Sequence, residues 1–384
     1  MSETFDTRVR AHAHAAELRR RAEEIEAARR LPQDLSDRFA ADGFYRMCVP
    51  EVYGGLEQPP ARTMETIEIL ARADGAPAWC AFIAATSGTV LSLLPEDVAR
   101  DVFATPETMI AGVFAPRGEA EVVEGGFRVR GEWAWGSGTQ NADWVLAGCR
   151  VLREGEPDRL GNGTPRSRMM LVPKTAVEFL DTWHVSGLSG TGSTDFALRD
   201  VFVPAGHAAG MGVEGPLDRP LYRFPQFGLL GMGIAAVGLG LGRAAIDELV
   251  ELAGVKTPTG SARPLANRPA AQAEVARAEA SLRSARAFYY EAIEAAWEEA
   301  LDGPLCVEHR RDLRLATTHA THASAEAVDR MYHLAGGSAV YRHSPLQRIF
   351  RDVHVATQHM MVGPSTWELT GRLLLGLETD VAQL

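Results

Sequence analysis

The stretch GEWAWGSGTQNADW, residues 131–144, combines aromatic and hydroxyl side chains in a way that could bind a flat ligand. Ser137 lies in a Gly-Ser-Gly turn that directly follows Trp133 and Trp135. An indole ring offers an apolar wall, and a small hydroxyl can donate one hydrogen bond without crowding. The same stretch also fits a strand that ends in a turn, with its tryptophans in a core. These residues alone leave both interpretations open.

The stretch RDVHVATQH, residues 351–359, lies near the end of a predicted bundle helix and carries two further candidate residues, His354 and His359. Imidazole changes its charge near neutral pH, so a histidine here could take up a proton or donate one. His319 and His322 lie three residues apart on a predicted helix and could bind a metal. Because no third ligand is evident nearby, we predict no metal site.

Two glycine-rich stretches each have two interpretations. GMGIAAVGLGLG, from Gly231 onward, is close to a dinucleotide-binding fingerprint, but no strand precedes it, as that motif requires. Its small residues instead favour a helix that a neighbour approaches closely. GLSGTGSTD, residues 187–195, either cradles a phosphate with backbone N–H groups or forms a plain turn before a strand. Neither GxSxG nor HExxH occurs, so the sequence gives hydrolases little support.

The composition narrows the classes of protein further. The chain has 384 residues, with 50 acidic against 39 basic side chains and a net charge of −11. Nucleic acid and anionic membranes would repel it, so neither is expected as a partner. Its four scattered cysteines form no CxxC pair, which predicts neither a disulfide framework nor a zinc site. We expect a cytoplasmic protein, because no apolar signal segment and no uninterrupted apolar run of about 18 residues is present.

The chain divides into three blocks of different texture. Residues 1–108 are rich in helix-forming Ala, Glu and Arg. Residues 109–215 contain short β-rich runs separated by Gly, Pro and Asp, the pattern of a small antiparallel sandwich or barrel. Residues 216–384 return to helix and predict a bundle of four or five helices. Helices, then strands, then helices indicate an α+β fold of three domains.

In this order the blocks resemble the acyl-CoA dehydrogenase superfamily over nearly the whole chain. The resemblance is carried by three stretches, DGFYRMCVPEVYGG, GLSGTGSTDFALRDVFVPA and LAGGSAVYRHSPLQRIFRD. It implies an N-terminal helical domain, a central antiparallel β-barrel and a C-terminal helical bundle. It also implies a flavin between barrel and bundle, and a homotetramer.

The resemblance also implies roles for individual residues. Trp135 would pack against the flavin ring, and the Ser137 hydroxyl would lie near its N5 atom. Trp135 could instead fill the core of the barrel. The remaining flavin contacts implied by the resemblance are Phe114, Gly336, Gly337 and Ser338.

One departure from the dehydrogenases points to a sister branch. Dehydrogenases abstract a proton with a glutamate, but the aligned stretch RDVHVATQHMMVGPSTWE has Met360, Met361 or Ser365 there, and Glu368 falls about one turn late. The two-component flavin monooxygenases of the same fold also lack this glutamate. They take reduced FMN or FAD from a separate reductase and use it with O2. This branch places His359 near the reacting oxygen and the substrate.

Two other functions remain open at this point. One is a dehydrogenase-like FAD oxidoreductase of a thioester, with Glu368 as its base. The other is a binding subunit without activity. For the monooxygenase we expect a small aromatic or polyketide-like substrate, because the predicted lining (Met360, Met361, Trp367) is apolar. Some members handle substrate with a histidine on an N-terminal helix, where this chain has Thr86 and Ser87.

Overall fold

The computed structural model describes residues 5–210 and 217–384, and its N-terminal part is helical. Asp6 and Asp74 cap the first and fourth helices by accepting the N–H groups of Arg8 and Ala76. Gly43 follows the second helix with φ +78°, the left-handed conformation that glycine favours just after a helix C-terminus. The helices are α1 (Thr7–Ala28), α2 (Gln33–Ala41), α3 (Pro60–Ala71), α4 (Gly75–Ser87) and α5 (Glu96–Val102).

The central part is one mixed sheet of eight strands. The spatial order is β6-β7-β2-β1-β3-β5-β8, with β4 paired to β3. Strands β1 and β3 run parallel, and the other pairs are antiparallel. The strands are β1 (Ile110–Val123), β2 (Gly126–Trp133), β3 (Trp144–Arg153), β4 (Glu156–Pro157), β5 (Ser167–Pro173), β6 (Glu178–Leu180), β7 (Asp195–Pro204) and β8 (Ala208–Gly210).

The predicted antiparallel barrel is therefore wrong on two counts. The turn after β2 returns the chain to the start of β1, where Trp144 pairs with Ile110 in parallel. Within the described residues the outer strands β6 and β8 do not pair with each other, so the sheet stays open. Alternating apolar residues identify strands, but the order and direction of strands depend on the connections between them.

Strand β1 loses its regular pairing halfway along. Its register with β3 shifts between Val113 and Gly118, so residues 114–117 leave the ladder. Gly118 is required there, because a Cβ at this position would lie 2.1 Å from the ring of Trp133. Phe114 lies in the irregular segment and is half-buried.

The C-terminal part is a bundle of five helices. Its first helix has small residues where neighbours approach: a Cβ on Gly233 would lie 2.3 Å from the ring of Phe82, and one on Gly240 would lie 2.5 Å from Cβ of Ala71. The close-approach interpretation is confirmed, and the dinucleotide interpretation is wrong because the motif lies inside a helix. The helices are α6 (Gln226–Val255), α7 (Pro269–Asp302), α8 (Val307–Ala335), α9 (Pro345–Thr357) and α10 (Pro364–Leu374).

Two helical segments are long and apolar enough to cross a membrane, which the sequence analysis did not expect. They are Gly75–Leu93 and Gln226–Val255, with 89% and 94% of their apolar windows buried inside the protein. This burial makes them core helices. The predicted boundary between the second and third domains, 215/216, lies outside the described residues. All four cysteines are free.

Candidate active site

The two tryptophans of the opening stretch have opposite environments. Trp133 ends β2 in the core, stacks on Phe196 with ring centroids 5.3 Å apart and donates its indole N–H to the carbonyl of Gly148 (2.7 Å). Trp135 has φ +66° and an exposure of 68%, and its backbone N–H donates to Asp195. The core interpretation is therefore right for Trp133 and wrong for Trp135.

A row of hydroxyl groups connects this turn to the glycine-rich loop before β7. Thr191 Oγ1 donates to the carbonyl of Leu188 (2.8 Å), so it can only accept from Ser193 Oγ at 2.6 Å. Ser193 has then used its single hydrogen and accepts that of Ser137, also at 2.6 Å. The indole N–H of Trp79 donates to Ser137 Oγ across 3.1 Å. Every hydrogen in the row therefore has one direction, set by the Leu188 carbonyl.

The direction of these hydrogen bonds limits which hydrogen bond Ser137 can make to a ligand. A hydroxyl has one hydrogen and two lone pairs. The hydrogen is directed to Ser193 and one lone pair accepts from Trp79. The remaining lone pair can bind a ligand only if the ligand donates, which is the reverse of the donor role considered from the sequence.

The glycine-rich loop is held by the Arg-Asp pair of α9. Asp352 Oδ1 accepts the backbone N–H of Leu188 at 2.6 Å, and Arg351 Nη1 donates to the carbonyl of Ser186 and to Glu26. Burial raises the pKa of Asp352 to about 7, with repulsion from the nearby carboxylate of Asp74 adding to the effect. The loop is thus a turn before β7 that orients the hydroxyl row.

His359 lies just after α9, and its ring is close to that of Trp79. The two ring centroids are 6.0 Å apart. The Nδ1 atom of His359 accepts the backbone N–H of Met361 at 3.2 Å. Burial, together with the charge of Arg314, lowers the pKa of His359 to about 4. At neutral pH the ring is uncharged, and the bond to Nδ1 places its hydrogen on Nε2, where it can donate.

Trp79 and Arg314 are the two residues of this region that the sequence analysis missed. Trp79 is 6% exposed in the apolar helix α4, where it looked like a core residue. Arg314 is one arginine among many, and only its burial distinguishes it. The structure thus groups Ser137, Trp79 and His359 through contacts between α4, the sheet and the residues after α9.

The other candidates near His359 lie in different surroundings. Met361 is buried, whereas Met360 and Trp367 are 60% and 40% exposed. Glu368 is exposed on α10.

The two polar residues of the buried N-terminal helix differ in their partners. Thr86 donates to the carbonyl of Phe82, whereas the buried Ser87 Oγ has no partner among the described residues. Of the two hydroxyl groups, that of Ser87 is therefore the one that can form a hydrogen bond to a ligand.

Gly336, Gly337 and Ser338 lie at a separate place, after the C-terminus of α8. Lys256 Nζ donates to Ser338 Oγ at 2.9 Å and also to the carbonyl of Ala335, where a cation suits the helix end. Twenty-two positions of helix separate Arg314 from Gly336, which corresponds to about 30 Å. This loop therefore lies at the other end of α8 from Arg314.

One group in the described part of the chain has metal-ligand spacing, namely Glu299, Cys306 and His309. The Glu299 carboxylate accepts the backbone N–H of Cys306 at 3.0 Å and is 2.7 Å from Nδ1 of His309. This arrangement caps the start of α8. His322 has its Nε2 3.0 Å from the carbonyl of Val362.

The residues around the Ser137 turn fit a reduced flavin. The exposed indole of Trp135 offers an apolar surface, and the irregular segment of β1 offers backbone groups that the ladder does not use. Atom N5 carries a hydrogen in reduced flavin and none in oxidised flavin. The free lone pair of Ser137 therefore suits the reduced form.

Comparisons with known proteins identify the family of the chain. The family described as acyl-CoA dehydrogenase, N-terminal domain, matches residues 2–95, and the C-terminal domain family matches residues 232–364. The indole-3-acetate monooxygenase of Pseudomonas putida is 38% identical over 360 residues, covering 93% of this chain and 90% of that protein. The oxygenase subunit HsaA, a flavin-dependent monooxygenase of Rhodococcus jostii, is 30% identical and covers 90% of this chain and 92% of its own.

A solved structure extends the comparison to the cofactor. XiaF from Streptomyces sp., in complex with FADH2 and glycerol, superposes with a TM-score of 0.89 at 26% identity, covering 97% of this chain and 95% of its own. The chain therefore belongs to the flavin-dependent monooxygenases built on the acyl-CoA dehydrogenase fold, and its cofactor is a reduced flavin.

Proposed function

We propose that this chain is the oxygenase component of a two-component system that hydroxylates a small aromatic substrate of the indole class. The single observation that carries the site assignment is the placement of Trp79 between Ser137 and His359. Bound flavin supplies the reducing equivalents that activate O2. The protein residues orient the cofactor and substrate and hold the protons.

In this proposal Trp135 covers one face of the flavin ring, and Phe114 contacts it from the irregular segment of β1. Ser137 accepts a hydrogen bond from the reduced ring. Its geometry is kept by Trp79 and Ser193, which occupy its other hydrogen-bonding positions. The site therefore discriminates between flavin redox states by hydrogen-bond polarity.

His359 acts as a neutral donor through Nε2. Because its Nδ1 accepts from Met361, the hydrogen lies on Nε2, the ring nitrogen that is left to bind a ligand. A buried neutral donor stabilises negative charge that develops on oxygen without requiring a proton from solvent. Glu368, exposed on α10, has no part in this chemistry.

The indole class is suggested by the relative of 38% identity, an indole-3-acetate monooxygenase. Support from this chain comes from apolar and aromatic side chains: Trp79 and Met361 lie beside His359, and Phe82 packs against Trp79. Flat aromatic rings pack well against such side chains.

We further propose three features of the working enzyme. A separate reductase supplies the reduced flavin, as expected for a relative named an oxygenase subunit. The protein is cytoplasmic, in keeping with its free cysteines. It is a homotetramer in which Gly336, Gly337 and Ser338 contact the flavin of a neighbouring subunit, because they lie about 30 Å along α8 from Arg314, which contacts Met361 of the site.

The test is a single-turnover reaction. Protein loaded anaerobically with reduced FMN or reduced FAD is mixed with indole-3-acetate and 18O-labelled O2. We expect one labelled oxygen atom in the organic product and a preference for one of the two flavins. An unlabelled or unchanged substrate, with H2O2 as the only product across a panel of indoles and phenols, would refute the proposed function.

A further inference from the structure

Arg314 is a buried arginine with no acidic partner among the residues that the structure describes. Its side chain lies in α8, is 1% exposed, and has an Nε atom with no hydrogen-bond partner among the described residues. Within the described part of the chain, its side chain makes one hydrogen bond, a weak one from Nη1 to the sulfur of Met361 at 3.6 Å. Guanidinium carries five N–H donors, so most of its capacity in this environment is unused.

Burying the Arg314 charge without a counter-ion costs free energy, and this cost indicates that a bound anion belongs beside it. Burial lowers the pKa of Arg314 to about 10, and no carboxylate counteracts the shift. The group remains charged at neutral pH. A buried charge without a counter-ion destabilises a protein, and apolar side chains of similar size are tolerated better in such places. The presence of an arginine at this buried position therefore indicates that the ligand carries a negatively charged group, which pairs with the guanidinium.

The surroundings place this charge at the active site. Met361, which contacts Arg314 through its sulfur, also donates its backbone N–H to His359. The charge of Arg314 contributes to the lowered pKa of His359. On the other side, a Cβ on Gly231 would lie 3.1 Å from Nη1, so the glycine leaves room for the guanidinium. The unpaired cation and the proposed donor are thus linked through one residue.

We propose that Arg314 binds the carboxylate of an anionic aromatic substrate and so determines that the enzyme prefers substrates with an acidic side chain. The inference rests on the proposed function. The fork of N–H groups on guanidinium matches a carboxylate in shape and charge. With the carboxylate held there, the aromatic ring extends toward His359 and Trp79, which orients the substrate for oxygenation.

The same cation could also hold another oxyanion, such as the phosphate of the flavin, and the experiment separates the two. Binding is measured anaerobically with the reduced-FMN form of the protein. The ligands are indole-3-acetate and 3-methylindole, which share the ring system and differ in the carboxylate. The variants are Arg314→Met, Arg314→Lys and, as a matched control on the same helix, Arg311→Met, since Arg311 already pairs with Asp312.

We expect Arg314→Met to weaken indole-3-acetate binding about 10- to 100-fold, the range for a charged hydrogen-bonded pair. Binding of 3-methylindole and of reduced FMN stays unchanged, Arg314→Lys recovers part of the affinity, and Arg311→Met behaves as wild type. Without ligand, Arg314→Met unfolds at a temperature no lower than wild type, because the uncompensated charge is gone.

Three results would overturn the inference. They are a wild-type protein without preference for the carboxylate form, an equal loss of both ligands in Arg314→Met, or a loss of reduced-FMN affinity that assigns the cation to the phosphate. The proposed function fails separately, through the absence of 18O incorporation into any aromatic substrate. Oxygenation of 3-methylindole by a wild type that lacks carboxylate preference would keep the function and remove the role of Arg314.

Discussion

Trp79 donates its indole N–H to the hydroxyl oxygen of Ser137 across 3.1 Å, although 58 positions separate them in the chain. The same indole ring faces His359, with centroids 6.0 Å apart. A tryptophan of the N-terminal helices thus joins the cofactor-facing turn of the sheet to the histidine after the bundle helix α9. The site exists only where the three parts of the fold meet.

The substitution Trp79→Phe tests this link. It keeps an aromatic ring beside His359 and removes the donor to Ser137. We expect reduced-flavin binding to weaken about fivefold, the effect of losing a hydrogen bond of about 1 kcal/mol, and more H2O2 to be released per product. Anaerobic titration and a peroxide assay measure the two effects. Trp144→Phe is the control, because that ring packs against His207 in the sheet; equal effects of both substitutions would argue against a specific role of Trp79.

The hydroxyl row predicts opposite effects for two serines. Ser137→Ala removes the acceptor and should weaken reduced-flavin binding about fivefold, with oxidised-flavin binding unchanged. Ser193→Ala frees the Ser137 hydrogen to turn toward the ligand, so oxidised-flavin binding should become tighter. The measurement is the ratio of dissociation constants for the two redox states. A proportional loss of both states in Ser137→Ala would contradict the assigned hydrogen-bond direction.

His359, and not Glu368, should carry the chemistry. His359→Ala is expected to lower product formation about 100-fold or more, the usual loss for a proton-handling group, while His359→Gln retains part of it by donating from its amide. Glu368→Gln should have little effect. The measurement is the product yield of a single turnover in each variant. An inactive Glu368→Gln together with an active His359→Ala would favour the dehydrogenase mechanism, in which Glu368 is the base.

The lowered pKa of His359 predicts that the stability of the protein decreases in acid. Its pKa is about 4 when folded and 6.5 as a free side chain. The folded state therefore binds fewer protons between these values, and the free energy of unfolding falls as the pH drops from about 6.5 to about 4. In His359→Gln the unfolding temperature should fall less over this interval. Scans at several pH values measure it, and identical profiles would contradict the shifted pKa.

Asp352 should affect the pH dependence of stability in the direction opposite to His359. Its folded pKa is raised to about 7 from 3.8, so its contribution to stability is present below about pH 4 and is lost as the pH rises through 7. Asp352→Asn keeps an acceptor for Leu188 and should be at least as stable as wild type at pH 8, with a flatter profile below. Asp352→Ala leaves that N–H unpaired and should cost about 1–3 kcal/mol. A destabilised Asp352→Asn at pH 8 would show that the charge itself is needed.

The assembly is also open to test. Exposed apolar side chains on the bundle, including Tyr341 at 60% and Leu375 at 77%, are suited to subunit contacts. We expect light scattering at micromolar concentration to give four times the 41.6 kDa mass of the chain. Leu375→Glu should shift the mass downward, whereas the solvent-facing Arg100→Glu should not. A monomeric wild type would argue against the tetramer.

The order of strands in the sheet and the irregular segment 114–117 could not be predicted from the sequence. The β-rich character of the central block was predicted, because apolar and turn residues are local signals. The parallel pairing of β1 with β3 was not, since it depends on how the turn after β2 returns the chain. Trp79 was missed for a similar reason: in an apolar helix a tryptophan with a functional partner and one in the core have the same sequence pattern.

The sequence by itself determined the order of helices and strands, the flexible turn that carries Ser137, the missing glutamate and the presence of His359, because each depends on residue types within a short segment. Only the tertiary structure decided that Trp135 faces outward, that the hydrogen of Ser137 points to Ser193, and that Arg314 is buried without a counter-ion. Hydrogen-bond direction and the environment of a charge depend on groups far apart in the chain, and folding alone brings those groups within a few ångströms of one another.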